Sequence, residues 1–169
     1  MGAILGSWSG MRKYLEKEML ADSLKRRVRY NCTSYVGMDG SHVFELIIDD
    51  RLHKRFSLET VNSYFIACGY CEKGIGIGDY WAHFWPLLEQ HPINTRTEYT
   101  DEEFCKALEL YRNQDIGLSI ESENPLVRMF AILDRRVGKR TLMKLKDALN
   151  RQPLWLQKLY SLRFSAENN

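Results

Sequence analysis

Cys68 and Cys71, in a C-x-x-C arrangement, are the residues of this 169-residue chain whose type and spacing most directly suggest chemistry. Such a pair can supply half of a zinc site or cycle between dithiol and disulfide. Zinc would need two more ligands, and His83, His91 and Cys105 are the downstream donors. The two histidines are spaced more widely than the H-x₃₋₅-H of a zinc finger, and no second C-x-x-C follows. A thioredoxin-type pair would open a helix after a strand, whereas this one falls where a helix should end. With Cys32, the cysteines read as reduced thiols, and neither a metal nor a cofactor is expected.

The other candidate motifs have simpler readings. Gly74, Gly76 and Gly78 alternate as G-x-G-x-G, without the strand or the lysine of a phosphate loop, which suits a connector between helices. His42 and His53 stand at the mouths of a predicted strand meander and could pair across it. Asp49-Asp50 suits a tight turn, and Asp101-Glu102-Glu103 suits a helix N-terminus, where negative charge is favourable. No G-x-S-x-G elbow is present. No catalytic residue is therefore assigned, and an enzyme with an unrecognised site is the second alternative.

The basic clusters are the firmest chemical feature. The formal net charge is only +2, but it is unevenly spread: +4 over residues 1–29, −9 over 30–124 and +7 over 125–169. Lys25, Arg26, Arg27 and Arg29 form one cluster, and Arg135, Arg136, Lys139 and Arg140 a second. Arg140, Lys144 and Arg151 continue the second along a predicted helix, opposite its leucines, with Asp147 interrupting. Arg136, Lys139, Arg140 and Lys144 are the candidate partner-binding or nucleic-acid-binding residues, since such a ridge could meet phosphates or an acidic surface. Its alternative employment is against the acidic middle of the same chain.

The elements around these residues alternate in type. Trp8, Met11, Leu15 and Met19 recur at helical spacing in a helix over about 10–24 capped by Ser9, with Arg12, Lys13, Glu16 and Lys17 facing water. Residues 28–35 alternate as a strand, Gly37–Gly40 turns, and Val43–Ile48 and Arg51–Phe56 complete an antiparallel meander. Ser57 caps a helix through Val61, Tyr64, Phe65 and Cys68. A short aromatic helix from Tyr80 ends near Gln90. Thr100-Asp-Glu-Glu103 is a capping box for a helix burying Phe104, Ala107, Leu108 and Tyr111. Asn124-Pro125 opens a helix with Leu126, Met129, Phe130 and Leu133 on one face. A second helix over 139–150 buries Leu142, Leu145 and Leu149, and a third from Gln152-Pro153 presents Trp155, Leu159 and Leu162.

The fold class expected is α+β: a three-stranded antiparallel meander packed on helices, with an all-helical C-terminal third. That third suits either a HEAT-like hairpin or a three-helix bundle. Hydrophobic residues make up 44 % and charged residues 27 %, as in ordinary globular chains. One domain over 1–169 is expected, with sub-regions 1–57, 58–123 and 124–169. The polar stretch 113–124 is the best candidate boundary. No run approaches the ~20 apolar residues that cross a bilayer, and the N-terminus lacks a signal-peptide pattern.

Two stretches carry a resemblance. Leu20-Ala-Asp-Ser-Leu-Lys-Arg-Arg-Val-Arg-Tyr-Asn-Cys-Thr-Ser-Tyr35 and Asn124-Pro-Leu-Val-Arg-Met-Phe-Ala-Ile-Leu-Asp-Arg-Arg-Val-Gly-Lys-Arg-Thr-Leu142 resemble motifs of a family of short uncharacterised bacterial proteins. The Gln152-Pro-Leu154 and Leu159–Arg163 segments extend the likeness toward the C-terminus, whereas residues 66–100 depart from it. The resemblance implies a bacterial, cytoplasmic protein and carries no activity or site residue with it. The leading expectation is a non-enzymatic protein-binding or adaptor module, with no membrane association. The alternative is a nucleic-acid-associated protein working through the basic C-terminal ridge.

Overall fold

The computed structural model describes residues 7–34, 41–72 and 77–168. The alternating segment forms β1 (Val28–Ser34), antiparallel to β2 (His42–Ile48), which pairs in turn with β3 (Arg51–Phe56). Asp49 and Asp50 take φ of 47° and 62°, the left-handed pair that a two-residue type I′ turn requires and that aspartate tolerates. Arg27 and Arg29 meet their carboxylates at 2.8 and 2.5 Å. The register puts Tyr30, Leu46 and Lys54 in one inward row and Cys32, Phe44 and Phe56 in the next. Asn31, Glu45 and Arg55 line the outer face, where Arg55 pairs with Glu45 at 2.9 Å. His53 is the extra residue of a bulge between Leu52 and Lys54, so the sheet places it one step off strict alternation. The expected turn at Gly37–Gly40 lies outside the described residues.

Phe104 joins this sheet to the helices. It belongs to α4 (Asp101–Asn113), whose capping box forms as the sequence requires: Glu103 N–H donates to Thr100 Oγ1, and Thr100 N–H to the Glu103 carboxylate. Its ring stacks on Phe44 at 4.5 Å and lies 4.9 Å from Phe56 and 5.3 Å from Phe130. Phe130 lies on α6 (Pro125–Leu133), every residue of which but Arg128 is buried. A helix apolar all round must be central. Its neighbours are α4, the sheet-side helix, the short α5 (Ile116–Ile120), and α8 (Leu154–Glu167).

Several expectations shift here. The first helix is α1 (Trp8–Lys13), capped by Ser7 rather than Ser9, and it continues as a π-helical turn over Tyr14–Glu18 before breaking. That turn brings Glu16 inward, where its carboxylate accepts the Tyr30 N–H at 2.7 Å instead of facing water. The stretch 113–124 contains α5, capped by Asp115, with Ser119 buried against Gln114 Nε2 at 2.9 Å. It is part of the packed structure. The helix opening at Lys139 is α7 (Lys139–Lys146), shorter than expected, followed by a 3₁₀ turn over Leu149–Arg151. Leu142 is buried, while Leu145 and Leu149 are only partly so.

On α8 the buried face is Leu156, Leu159, Tyr160 and Arg163, rotated from the expected Trp155–Leu159–Leu162 stripe. The cause is Arg163. Its guanidinium donates to Asp134 O at 3.0 Å and Val137 O at 2.9 Å, carbonyls just beyond the end of α6 that have no helical partner.

A second, smaller core sits beside the first. α2 (Leu58–Ala67) is capped by Ser57 and packs Val61 and Phe65 against Phe84 of α3 (Ile77–Gln90). Tyr64, Tyr80, Trp81, Leu87 and Leu88 surround them. Gly78 belongs to α3, and Gly74 and Gly76 lie outside the described residues. Among the described residues no helix is long and apolar enough to cross a membrane.

Candidate functional site

The basic surface begins where α6 stops. At Asp134 the chain turns extended, and Asp134 bridges to Leu20 of the N-terminal segment. Ala21 N–H donates to Leu133 O at 2.9 Å and Arg135 N–H to Met19 O at 2.7 Å. The Asp134 side chain is fully buried. It accepts the Tyr111 hydroxyl proton, the Arg136 N–H at 2.7 Å, and Arg136 Nε and Nη2 at 3.1 and 2.7 Å. Burial and the Asp134 carboxylate hold the Tyr111 phenol well above its usual range, so it stays a donor. Hydrogen bonding to Asp134 raises the Arg136 guanidinium in the same way. Arg136 is thus occupied in closing this turn, and the predicted quartet of free cations reduces to three.

Lys139, Arg140 and Lys144 are exposed. Among the described residues no Asp or Glu lies in ion-pair contact with any of them. Gly138 precedes α7 in an extended conformation without a side-chain cap. The helix then presents Lys139, Leu142, Met143 and Lys146 along a single stripe at i, i+3, i+4 and i+7. This stripe and Phe164 of α8 bound a groove of about 290 Å³, with Glu167 and Asn168 at its end. Lys146 Nζ stands 6.0 Å from the Phe164 ring centroid. Met143 is 68 % exposed, an unbranched apolar side chain offered to solvent between cations.

Sequence reasoning missed Met143, Lys146 and Phe164. The signal was present: the four-residue stripe can be read from residues 139–146 alone. The sequence reading takes Leu142 for the core, with Leu145 and Leu149, and Lys139 for the basic ridge, so the stripe is divided between them, and Phe164 joins it only through the packing of α8 on α7.

The remaining candidates do not assemble. Cys68 caps α2 and is exposed, and Cys71 Sγ lies 3.9 Å from Asn62 Oδ1. Among the described residues no three His, Cys, Asp or Glu side chains are grouped to hold a metal. Burial and the Asp101 charge raise the Cys32 thiol and push Cys105 up to about 12, far from a thiolate at neutral pH. His42 and His53 do not pair. His42 stacks on Phe44, and His53 Nε2 donates to Trp155 O at 2.9 Å.

Lys54 is an unforeseen buried cation. Its inward register position carries the ammonium to Thr97 O and to Glu98 at 2.8 Å. Tyr99 and Trp155 rings stand 5.4 and 5.3 Å from it. Burial lowers its pKa against the pull of Glu98. Next to it, Arg96 donates to His91 O and to the Glu103 carboxylate, fastening the 91–100 segment onto α4. Each side-chain nitrogen of Lys54 and Arg96 bonds one of the protein's own acceptors, a structural arrangement.

The chain belongs to the SF0329 protein family, whose pattern matches residues 7–164. That span takes in the sheet, both cores and the α7–α8 groove except for Glu167 and Asn168 at its end. No curated protein and no solved structure matches the chain.

Proposed function

We propose that this member of the SF0329 family is a non-enzymatic protein-binding module that receives an acidic segment of a partner protein in the α7–α8 groove. The observation carrying this reading is the Lys139–Leu142–Met143–Lys146 stripe, in which the exposed Met143 lies between cations that make no ion pair among the described residues, the one carboxylate of the lining being Glu167 at the groove's end. An apolar wall is wasted on a phosphate backbone, which needs cations and hydrogen-bond donors alone. A peptide with one apolar side chain flanked by Asp or Glu satisfies both components, since the anchor desolvates in the groove and the rim charges set orientation and on-rate. A bacterial cytoplasmic setting is part of the same proposal, supported by the sequence motifs and by four cysteines that remain unpaired.

Display of random peptides on phage tests it. Selection on the wild-type protein, with counter-selection on a Met143→Glu, Lys146→Glu variant, should enrich an apolar residue flanked by acidic ones. Enrichment of no sequence, or of sequences that bind the variant equally, would refute the assignment. Fluorescence anisotropy with duplex DNA and single-stranded RNA covers the alternative. Sub-micromolar affinity at physiological salt, lost in Lys139→Glu, Arg140→Glu, Lys144→Glu, would replace the adaptor reading with nucleic-acid binding.

A further inference from the structure

A second concavity lies on another part of the molecule and shares no residue with the α7–α8 groove. It is formed where the start of β2, the first turn of α2 and the start of α3 meet, and it has a volume of about 290 Å³. That is about the lower size at which small-molecule sites begin. Val43 and Leu58 supply its apolar lining, Tyr80 and Trp81 its aromatic one, and Glu59 and Asn62 its polar one. Among the described lining residues there is no lysine, arginine or histidine.

The aromatic wall is held from behind. The Trp81 ring is stacked by Trp85 at 5.7 Å and 17°, set edge-on to Tyr80 at 4.9 Å, and edge-on to the buried Phe84 at 6.0 Å. Those contacts restrict the indole before any ligand arrives, so little side-chain entropy remains to be lost on binding. Glu59 is exposed on the first turn of α2 and makes no ion pair within the described residues. A carboxylate that lines the same cavity as an indole and a phenol is attractive to one kind of small molecule. The quadrupole of each ring presents negative charge on its face, and the carboxylate adds a full negative charge. An anion would meet repulsion from both, and an uncharged apolar molecule would leave the carboxylate partly desolvated without compensation.

We infer that this cavity is a binding site for a small organic ammonium ion, held against the Trp81 and Tyr80 rings that line it and by the Glu59 carboxylate. Methylated ammonium groups fit best, because their charge is spread over apolar methyls and their dehydration is easier than that of a bare ammonium. The site is independent of the partner groove, so either can fail without the other.

The test uses choline and tetramethylammonium as probes, with the uncharged carbon isostere of choline as the control. Binding is followed by tryptophan fluorescence and by chemical-shift changes of the Trp81 indole N–H. The cations should give saturable changes with the two readouts agreeing, and the isostere should bind at least about tenfold more weakly, as cation–π and ionic attraction together require. Glu59→Gln, at an exposed position, should fold normally and weaken the cations toward the isostere. Read by calorimetric titration, since the Trp81 reporter is gone, Trp81→Ala should abolish binding if it folds, and Trp81→Phe should retain weakened binding if it does not. Equal affinity for cation and isostere, an unchanged affinity in Glu59→Gln, or no saturable response in the wild-type protein would each overturn the proposal.

Discussion

Arg136→Ala separates a cation that closes the fold from those that face a partner. Asp134 has no solvent contact, and three of its hydrogen bonds come from the Arg136 side chain. Truncation leaves it the Tyr111 hydroxyl and the residue-136 N–H. Removing one member of a buried pair costs roughly 3–5 kcal/mol, because the other charge is left without its counter-ion. Arg136 itself is 41 % exposed, so water repays part of that loss, and the two surviving donors repay more. A destabilisation of about 2 kcal/mol is expected. Lys144→Ala, exposed and without an ion partner, should fall within about 0.5 kcal/mol of the parent. Urea unfolding followed by tryptophan fluorescence measures both, with m held common. Arg136→Lys should fall between them, since a lysine keeps the charge and loses the fork. Equal costs for Arg136→Ala and Lys144→Ala would show that Arg136 is another surface cation and that the carboxylate is satisfied without it.

Phe130→Ala should cost about 3–5 kcal/mol, since the ring touches both Phe104 and Tyr111 within a helix buried all round; a variant as stable as the parent in the same urea titration would show the facing of α6 to be wrong. Burial holds the His53 imidazole below its ordinary 6.5, so the folded state resists a proton that the unfolded chain accepts. Stability is therefore complete above that value and declines as pH falls through it toward the lower folded pKa. His53→Gln should flatten that part of the stability–pH curve, and an unchanged slope would show that His53 titrates freely.

The elements most legible in the sequence were those specified by neighbouring residues. Asp49-Asp50 set the hairpin, and β3 runs over the expected Arg51–Phe56. Thr100 and Glu103 fix the start of α4, and the apolar spacing after them names its four buried residues correctly. What escaped was polar residues held by distant partners. Glu16, Lys54, Asp134 and Arg163 each look like surface positions in sequence, and each is drawn inward by a group at least fourteen residues away. Arg163 alone rotated the expected face of α8. The partner groove was half visible: α7 carries its own stripe, but the opposing Phe164 depends on tertiary packing that no local pattern encodes.

The turn after α6 has a consequence for how the chain is made. Synthesis proceeds from the N-terminus, so Met19, Ala21 and Tyr111 emerge before Asp134 and can meet it as soon as it appears. Arg163 cannot, because it leaves the ribosome about thirty residues later, and Glu167, which binds Ser23 Oγ at 2.6 Å, later still. Until then the Asp134 carbonyl has only the Val137 N–H, and the Val137 carbonyl lacks the guanidinium that the finished protein supplies. The turn after α6 therefore gains its last hydrogen bonds only when α8 docks on it. A ribosome stalled within α8 would carry a chain whose turn after α6 still lacked Arg163, and that turn would remain open to chaperones and proteases until Arg163 had left the ribosome.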